Sequence, residues 1–218
     1  MDSIKFKFPA TFVFFGPTFS GKTHLVRDIL SHHKESMKTR KNVINVCWCH
    51  GQSQKLHYEK LPNVNIIYKE ELVDDSFLLR NKIDVIVFDD LMNQIGNSLH
   101  LTDFFTKKSH HLSISVIYIV QNIFNKNKQM RTISLNANYL ICMKNPRDQL
   151  QLQTLARQIM PNETKFFMQC YADATNKPYS NFIIDLHPLT PDELRLKSWK
   201  KVKDERVFVV YKLKNVSM

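Results

Sequence analysis

The chain has little glycine, little cysteine and no long apolar stretch. Only four of its 218 residues are glycine and only four are cysteine. Four cysteines do not make a disulfide framework in a chain of this length, which favours a reducing compartment. No apolar run approaches the roughly 20 residues of a membrane-spanning helix, and the opening residues, MDSIKFKF, lack the pattern of a signal peptide. We therefore expect an intracellular protein that does not act at a membrane.

Half of the few glycines fall in one segment. Residues 12–30 read FVFFGPTFSGKTHLVRDIL, an apolar strand, a loop and a helix, with Gly16 and Gly21 at the spacing G-x-x-x-x-G-K-T. A backbone that wraps a polyphosphate needs torsions that glycine tolerates, so that successive N–H groups point inward. The spacing predicts a phosphate-binding loop, with the N-terminus of the following helix directed at the anion.

The residues that follow the loop supply the charge and the metal ligand. Lys22 provides a positive charge for the β- and γ-phosphates, and the Thr23 hydroxyl provides a ligand for Mg²⁺. The predicted nucleotide-binding residues are Gly16, Pro17, Thr18, Phe19, Ser20, Gly21, Lys22, Thr23 and His24.

A second motif ends another apolar strand in two adjacent carboxylates. Residues 83–91 read IDVIVFDDL. Asp89 is expected to hold Mg²⁺ through water together with Thr23, and Asp90 to orient or deprotonate the attacking water. Hydrolysis of a γ-phosphate needs positioning and charge stabilisation, and this pair supplies both. Two strand-like runs lie between the motifs, at 43–49 and 64–68, an order that favours the P-loop branch with ring-forming motors.

Strand-like and helical stretches alternate along the chain. Most of the strand-like runs are continuously apolar, which is typical of buried parallel strands. We expect an α/β fold, the P-loop NTPase three-layer sandwich with a central, mostly parallel sheet. The sequence predicts strands at 10–15, 43–49, 64–68, 84–89, 114–120, 139–143, 179–186 and 206–213, and helices at 22–33, 70–81, 100–109, 147–159, 161–174 and 191–199.

The domain organisation is expected to be simple. Residues 1–218 are expected to form a single ATPase domain, because the sequence contains no repeat and no clear linker. Its core is expected over about residues 8–160, with a basic C-terminal extension over about 161–218 packed on it.

Positive charge exceeds what a nucleotide requires. The formal net charge is +11, and residues 195–218 carry eight basic side chains against Asp204 and Glu205. Such an excess suits a polyanion such as DNA or RNA. The plainer alternative is that the charge serves solubility and that the basic C-terminal residues form a solvated surface.

A third motif follows the acidic one. Residues 113–124 read SISVIYIVQNIF, an apolar strand that ends at Gln121, whose amide can touch both a γ-phosphate and the attacking water. Together, GPTFSGKT, VIVFDDL, FFTKKSHHLSISVIYIVQNIF and RTISLNANYLICMKNPRD resemble the genome-packaging ATPases of double-jelly-roll-capsid DNA viruses. The resemblance is greatest to those of virophages, adintoviruses and Polinton-type elements, within the FtsK–HerA class, and covers about residues 8–160.

This resemblance implies ATP hydrolysis in a ring that drives double-stranded DNA into a preformed capsid. It implies a homo-oligomer, pentameric or hexameric, that contacts viral capsid proteins. It also implies a place in an infected host cell, in the nucleus or a cytoplasmic virus factory, or association with the virion. ATP and Mg²⁺ are the implied ligands, Asp89 and Asp90 the metal and water-activating carboxylates, and Gln121 the sensor.

The chain departs from the family at one catalytic position. The family usually places an arginine ten to fifteen residues before the sensor glutamine, where it acts on the neighbouring subunit. Here that segment reads FTKKSHH. Alignment with the family favours Lys107 for this role, while the planar guanidinium fork favours Arg131 or Arg147. The sequence leaves the three open.

Two other functions compete with the motor. The phosphate loop also resembles that of thymidine kinases, although their paired C-x-x-C zinc motifs are missing here; tests with nucleoside acceptors discriminate this enzyme. The second is a nucleotide-gated DNA-binding or capsid-scaffold protein without motor activity. Cys47 and Cys49 share one face of a strand and are expected to be buried core residues rather than zinc ligands.

Overall fold

The computed structural model describes residues 3–51, 60–89, 91, 99–124, 128–147 and 149–213. Within these ranges the strands are β1 (Thr11–Phe15), β2 (Ile44–His50), β3 (Val64–Lys69), β4 (Val85–Asp89), β5 (Ser115–Val120), β6 (Tyr139–Met143), β7 (Asn181–Asp185), β8 (Leu196–Val202) and β9 (Glu205–Val210).

The helices lie between these strands along the chain. They are α1 (Lys22–Ser31), α2 (His33–Ser36), α3 (Asp75–Arg80), α4 (Leu99–Asp103), α5 (Lys128–Asn136), α6 (Gln149–Ile159) and α7 (Thr164–Ala174). A π-helical turn, Phe104–Lys108, continues α4 into a short α-helical end, Ser109–His111. Single 3₁₀ turns lie at Pro161–Glu163 and Asp192–Leu194.

The nine described strands form one sheet in the order β3-β2-β4-β5-β1-β6-β7-β8-β9. The six from β3 to β6 are parallel, and β7, β8 and β9 continue the sheet antiparallel. Strand β5 lies between β1 and β4. The carboxyl ends of parallel strands share one edge of a sheet, so the ends of β1, β4 and β5 meet there.

Alternate residues of the central strands enter two cores, one on each face of the sheet. In β1, Phe12 and Phe14 pack with the apolar side of α1, while Val13 and Phe15 pack on the opposite face with α4, α5, α6 and α7. Both faces of the parallel strands are covered, which explains why these strands read as continuously apolar. The expected α/β sandwich with a mostly parallel central sheet is confirmed.

The C-terminal strands are anchored by a buried ion pair. Lys197 Nζ donates to Asp185 Oδ2 at 2.7 Å, and both side chains are almost completely buried. Lys197 also donates to the Ile4 carbonyl at 2.9 Å and lies near the rings of Phe6 and Phe208. Burial lowers the pKa of Lys197, while Asp185 opposes that shift. The pair joins β7 and β8 to the N-terminal segment.

Three sequence predictions of local structure were wrong. The helix predicted at 191–199 is only a 3₁₀ turn, and strand β8 follows it. The strand prevails because Trp199 lies opposite Phe208 of β9, with ring centroids 4.7 Å apart. The helix predicted at 70–81 begins only at Asp75, where the Asp74 side chain accepts from Phe77 N. Helix α5 was not predicted.

Candidate nucleotide site

The predicted phosphate loop joins β1 to α1 and is built on backbone torsions that favour glycine. Gly16 has φ +150°, and a Cβ placed there would lie 2.8 Å from Met143 Cβ. Gly16 N–H donates to the Gln121 carbonyl at 3.2 Å, which ties the loop to the end of β5. The loop therefore starts between β5 and β6, with no space for a side chain at Gly16.

Helix α1 begins directly after the second glycine. Gly21 is the N-cap of α1 with φ +91°, and its carbonyl accepts from Leu25 N–H at 2.9 Å. A Cβ at Gly21 would lie 3.0 Å from Cδ1 of Tyr179, a residue far away in sequence. The N-terminus of α1 opens onto the loop, as the motif predicted, and this end of a helix favours anions.

The Lys22 ammonium lies inside the curve of the loop. Its Nζ donates to the carbonyls of Gly16 at 2.8 Å and Pro17 at 2.9 Å. Ser20 Oγ is buried and, within the described part of the chain, has no hydrogen-bond partner. A cationic side chain, an unsatisfied hydroxyl and a helix N-terminus are thus gathered at one loop. This set fits a polyphosphate.

The predicted metal ligands also meet. Thr23 Oγ1 donates to Asp89 Oδ2 at 3.2 Å, and Asp89 is buried at the end of β4. A hydroxyl and a carboxylate are oxygen ligands that Mg²⁺ prefers, and Mg²⁺ completes its shell with water and substrate phosphates. Among the described residues no cluster of three or more His, Cys, Asp or Glu forms an all-protein metal cage. The donor set therefore fits magnesium held jointly with a phosphate.

Gln121 lies beside these two elements. It follows β5, the strand between β1 and β4, and its side chain is exposed at the edge where the loop and Asp89 lie. The structure thus gathers the first, second and third motifs at one edge of the sheet. Asp90, the predicted water-orienting carboxylate, lies outside the described residues.

A cleft of about 1180 Å³ opens over the loop. We call it the loop cleft. The loop and α1 form its near wall, and the ends of β4 and β5 form its floor. Residues 176–181 form the far wall together with Trp199, Lys200, Lys201 and Arg206. Thr18, Phe19 and His24, all predicted to bind nucleotide, are exposed along it.

The sequence did not predict the far wall: the basic side chains of residues 195–218 were expected either to contact a polyanion or to form a solvated surface. Asp28 of α1 holds this wall in place: Arg206 approaches Asp28 Oδ1 to 2.6 Å, and Trp199 Nε1 donates to Oδ2 at 2.8 Å. The one available signal was Tyr179, an aromatic residue inside the polar turn NKPYS.

The three candidates for the residue acting on a neighbouring subunit lie elsewhere. Lys107, Arg131 and Arg147 are all exposed, and none of them is among the described residues that line the loop cleft. Lys107 is in the π-helical turn, Arg131 in α5, and Arg147 shortly after β6. Their proposed role stays a prediction.

The cysteines of β2 are core residues, as predicted. Cys47 and Cys49 are fully buried with their Sγ atoms 3.8 Å apart. Hydrogen bonding to Cys47, together with burial, raises the pKa of Cys49. No described side chains gather around them as further metal ligands.

Solved structures share this fold at low sequence identity. The genome packaging NTPase B204 from Sulfolobus turreted icosahedral virus 2, in complex with sulfate, matches with a TM-score of 0.55 and 16% identity over 88% of this chain and 97% of that one. The same NTPase in complex with ATP-gammaS matches with a TM-score of 0.55 and 15% identity over 93% and 100%.

A second protein matches about as well. The flagellar accessory protein FlaH from Methanocaldococcus jannaschii gives a TM-score of 0.53 and 15% identity over 94% of this chain and 90% of that one.

No protein-family model and no curated protein sequence matches this chain. In the part of the chain that the structure describes, no helix is both long enough and apolar enough to span a bilayer. The chain has the α/β fold of P-loop NTPases.

Proposed function

We propose that this protein is an ATPase that translocates double-stranded DNA and packages a viral genome into a preformed capsid. The observation that carries the proposal is the meeting of Lys22, Asp89 and Gln121 at one edge of the sheet, on β1–α1, β4 and β5. The similarity in fold to a genome packaging NTPase that was solved with ATP-gammaS and AMPPCP supports it.

The predicted site residues divide the work of hydrolysis. The loop N–H groups and Lys22 hold the phosphates, and Thr23 and Asp89 hold the metal. When bound, Mg²⁺ neutralises charge that develops on the phosphate oxygens. Gln121 orients the attacking water, and Asp90 accepts its proton as the oxygen–phosphorus bond forms and ADP leaves.

A neighbouring subunit supplies the remaining positive charge. In the proposed ring, of five or six subunits, one of Lys107, Arg131 and Arg147 reaches the γ-phosphate of the next subunit. All three are exposed and lie away from the described lining of their own loop cleft, which suits a role across an interface. Such a cation lowers the barrier only in the assembled ring.

The DNA contact is proposed to be electrostatic. The chain carries a net charge of +11, and contacts to backbone phosphates hold duplex DNA without reading its sequence. Capsid proteins are the proposed partners, and the infected host cell, in the nucleus or a cytoplasmic virus factory, is the proposed place of action.

DNA-stimulated ATP hydrolysis tests this function. The purified protein is expected to hydrolyse ATP in the presence of Mg²⁺, and to do so faster with duplex DNA than without it. The stimulation by DNA is expected to decrease as the salt concentration rises. Lys22→Ala is expected to abolish hydrolysis, while wild type and variant unfold at similar urea concentrations. A rate of hydrolysis that does not change when DNA is added contradicts the proposal, and so does transfer of the phosphate to a nucleoside instead of water.

A further inference from the structure

Tyr179 projects into the loop cleft from the far wall. It belongs to the turn between α7 and β7, has φ +61°, and leaves 71% of its surface exposed. Its ring lies against Gly21, since a Cβ on Gly21 would come within 3.0 Å of Tyr179 Cδ1. A large, exposed aromatic ring thus lies directly beside the end of the phosphate loop.

The turn that carries Tyr179 is fixed on both sides. Ser180 Oγ donates to the Lys177 carbonyl at 2.7 Å, and Lys144 Nζ donates to the Asn176 carbonyl at 3.1 Å. Asn181 exchanges two hydrogen bonds with the backbone of Trp199, at 2.8 and 3.0 Å. A non-glycine residue in the left-handed region persists only where its surroundings impose it, and such residues cluster at ligand clamps.

In the part of the chain that the structure describes, the cleft extends from the phosphate loop along the far wall. Phosphates in the loop lie between Gly16 and Thr23, and the loop cleft continues from there past Tyr179 towards Trp199 and Arg206. Its volume of about 1180 Å³ exceeds what a drug-sized ligand needs. A nucleoside that follows the phosphates along this wall meets the Tyr179 ring.

We propose that Tyr179 is the platform on which the nucleobase stacks. The inference rests on the nucleotide binding in the proposed function and adds the residue that holds the base. The ring supplies affinity rather than choice of base, because every base presents a π-face to an aromatic side chain. ATP and GTP are therefore both expected to depend on it.

Three ligands and two variants separate stacking from mere packing on Gly21. ATP, GTP and tripolyphosphate are each titrated calorimetrically, with Mg²⁺, into the wild type, Tyr179→Leu and Tyr179→Phe. Leucine keeps an apolar contact with Gly21 but has no π-face, while phenylalanine keeps the ring. Tyr179→Leu is expected to weaken ATP and GTP about 10-fold or more and to leave tripolyphosphate unchanged. Tyr179→Phe is expected to bind all three ligands as the wild type does.

Several outcomes overturn the inference. One is Tyr179→Leu with unchanged affinity for ATP; another is an equal loss for tripolyphosphate, which would mean that the ring only shapes the loop. A wild type that binds tripolyphosphate as tightly as ATP also overturns it but leaves the catalytic proposal intact. A wild type that binds neither ligand overturns both.

A measurement on the wild type alone covers the case in which Tyr179→Leu fails to fold. A fluorescent adenine-analogue triphosphate is titrated into the protein with Mg²⁺. Stacking on Tyr179 is expected to quench its emission in the bound state, and excess ATP to restore it. A bound analogue that emits as it does in water overturns the inference.

Discussion

Thr23 Oγ1 donates a hydrogen bond to Asp89 Oδ2 at 3.2 Å, although the strands that lead to these residues are not neighbours. Strand β5 lies between β1 and β4. The contact is possible because the loop carries the chain from the end of β1 across the edge of the sheet. The hydroxyl and the carboxylate therefore meet at the edge of the sheet where β5 ends next to Gln121.

This pair predicts a shared dependence on magnesium. Asp89→Asn and Thr23→Ala are each expected to lower the rate of ATP hydrolysis at least about 100-fold, since several kcal/mol of metal-mediated charge stabilisation are lost. Thr23→Ser, which keeps the hydroxyl, is the matched control and is expected to retain most activity. Steady-state hydrolysis at several Mg²⁺ concentrations measures the effect. An Asp89→Asn variant that is as active as Thr23→Ser contradicts the assignment.

Substitution of the two loop glycines is expected to destabilise the protein to different degrees. At Gly16 the neighbour is Met143 Cβ at 2.8 Å, an atom fixed to the backbone of β6. At Gly21 the neighbour is the exposed ring of Tyr179, which can turn aside. Gly16→Ala is expected to cost about 1–3 kcal/mol of unfolding free energy.

Gly21→Ala is expected to cost less, mainly the penalty of about 1 kcal/mol for a left-handed backbone. Urea unfolding of both variants gives the comparison. A larger loss for Gly21→Ala would mean that the ring is held as firmly as the backbone of β6.

The buried ion pair of Lys197 and Asp185 predicts that the stability losses of the two single variants do not add in a double-mutant cycle. Lys197→Met leaves Asp185 as an unpaired charge in the core, and Asp185→Asn leaves Lys197 as one. Each change alone is therefore expected to lower the free energy of unfolding by about 3–5 kcal/mol. The double variant removes both charges and is expected to cost clearly less than the sum of the two. Urea denaturation of the four proteins measures the coupling, and additive losses would show that the pair is not energetically coupled.

The residue that acts between subunits can be identified from the ATP hydrolysis of single variants and of mixtures of two variants. Lys107→Ala, Arg131→Ala and Arg147→Ala are each assayed for hydrolysis and for ATP binding. One of them is expected to lose hydrolysis by at least about 10³-fold while still binding ATP, because only transition-state charge is lost.

Mixing that variant with inactive Lys22→Ala is expected to restore part of the activity. In such a ring some interfaces combine an intact loop from one subunit with an intact cation from the other. Three variants that all keep full activity, or a mixture that stays inactive, argue against a trans-acting residue among the three.

The sequence predicted the parallel half of the fold because its signals are local. The bounds of β1, β4 and β6 differ by at most one residue from those of the apolar runs that predicted them. The Gly16–Thr23 spacing predicted a loop between a strand and a helix, and the structure has this loop between β1 and α1. The antiparallel half depends on contacts between distant segments. Trp199 lies in a strand because it faces Phe208 across the β8–β9 hairpin, whereas the sequence predicted a helix at 191–199.

The candidate site was predictable to the same extent. Lys22, Thr23, Asp89 and Gln121 each belong to a recognisable motif, and the structure brings them together. Tyr179 lies more than 150 positions beyond Gly21 in a polar turn, and only the antiparallel addition of β7 to the sheet puts it beside the loop. No spacing rule connects two residues that meet through such a long-range pairing.

Movement along duplex DNA is the most direct test of the central claim. A triplex-forming oligonucleotide is annealed near one end of a long duplex, and its displacement is followed after protein, Mg²⁺ and ATP are added. The wild type is expected to displace it with ATP but not with a non-hydrolysable analogue, and Lys22→Ala is expected not to displace it at all. A wild type that hydrolyses ATP and binds the duplex, yet never displaces the oligonucleotide, would contradict the claim that hydrolysis drives translocation.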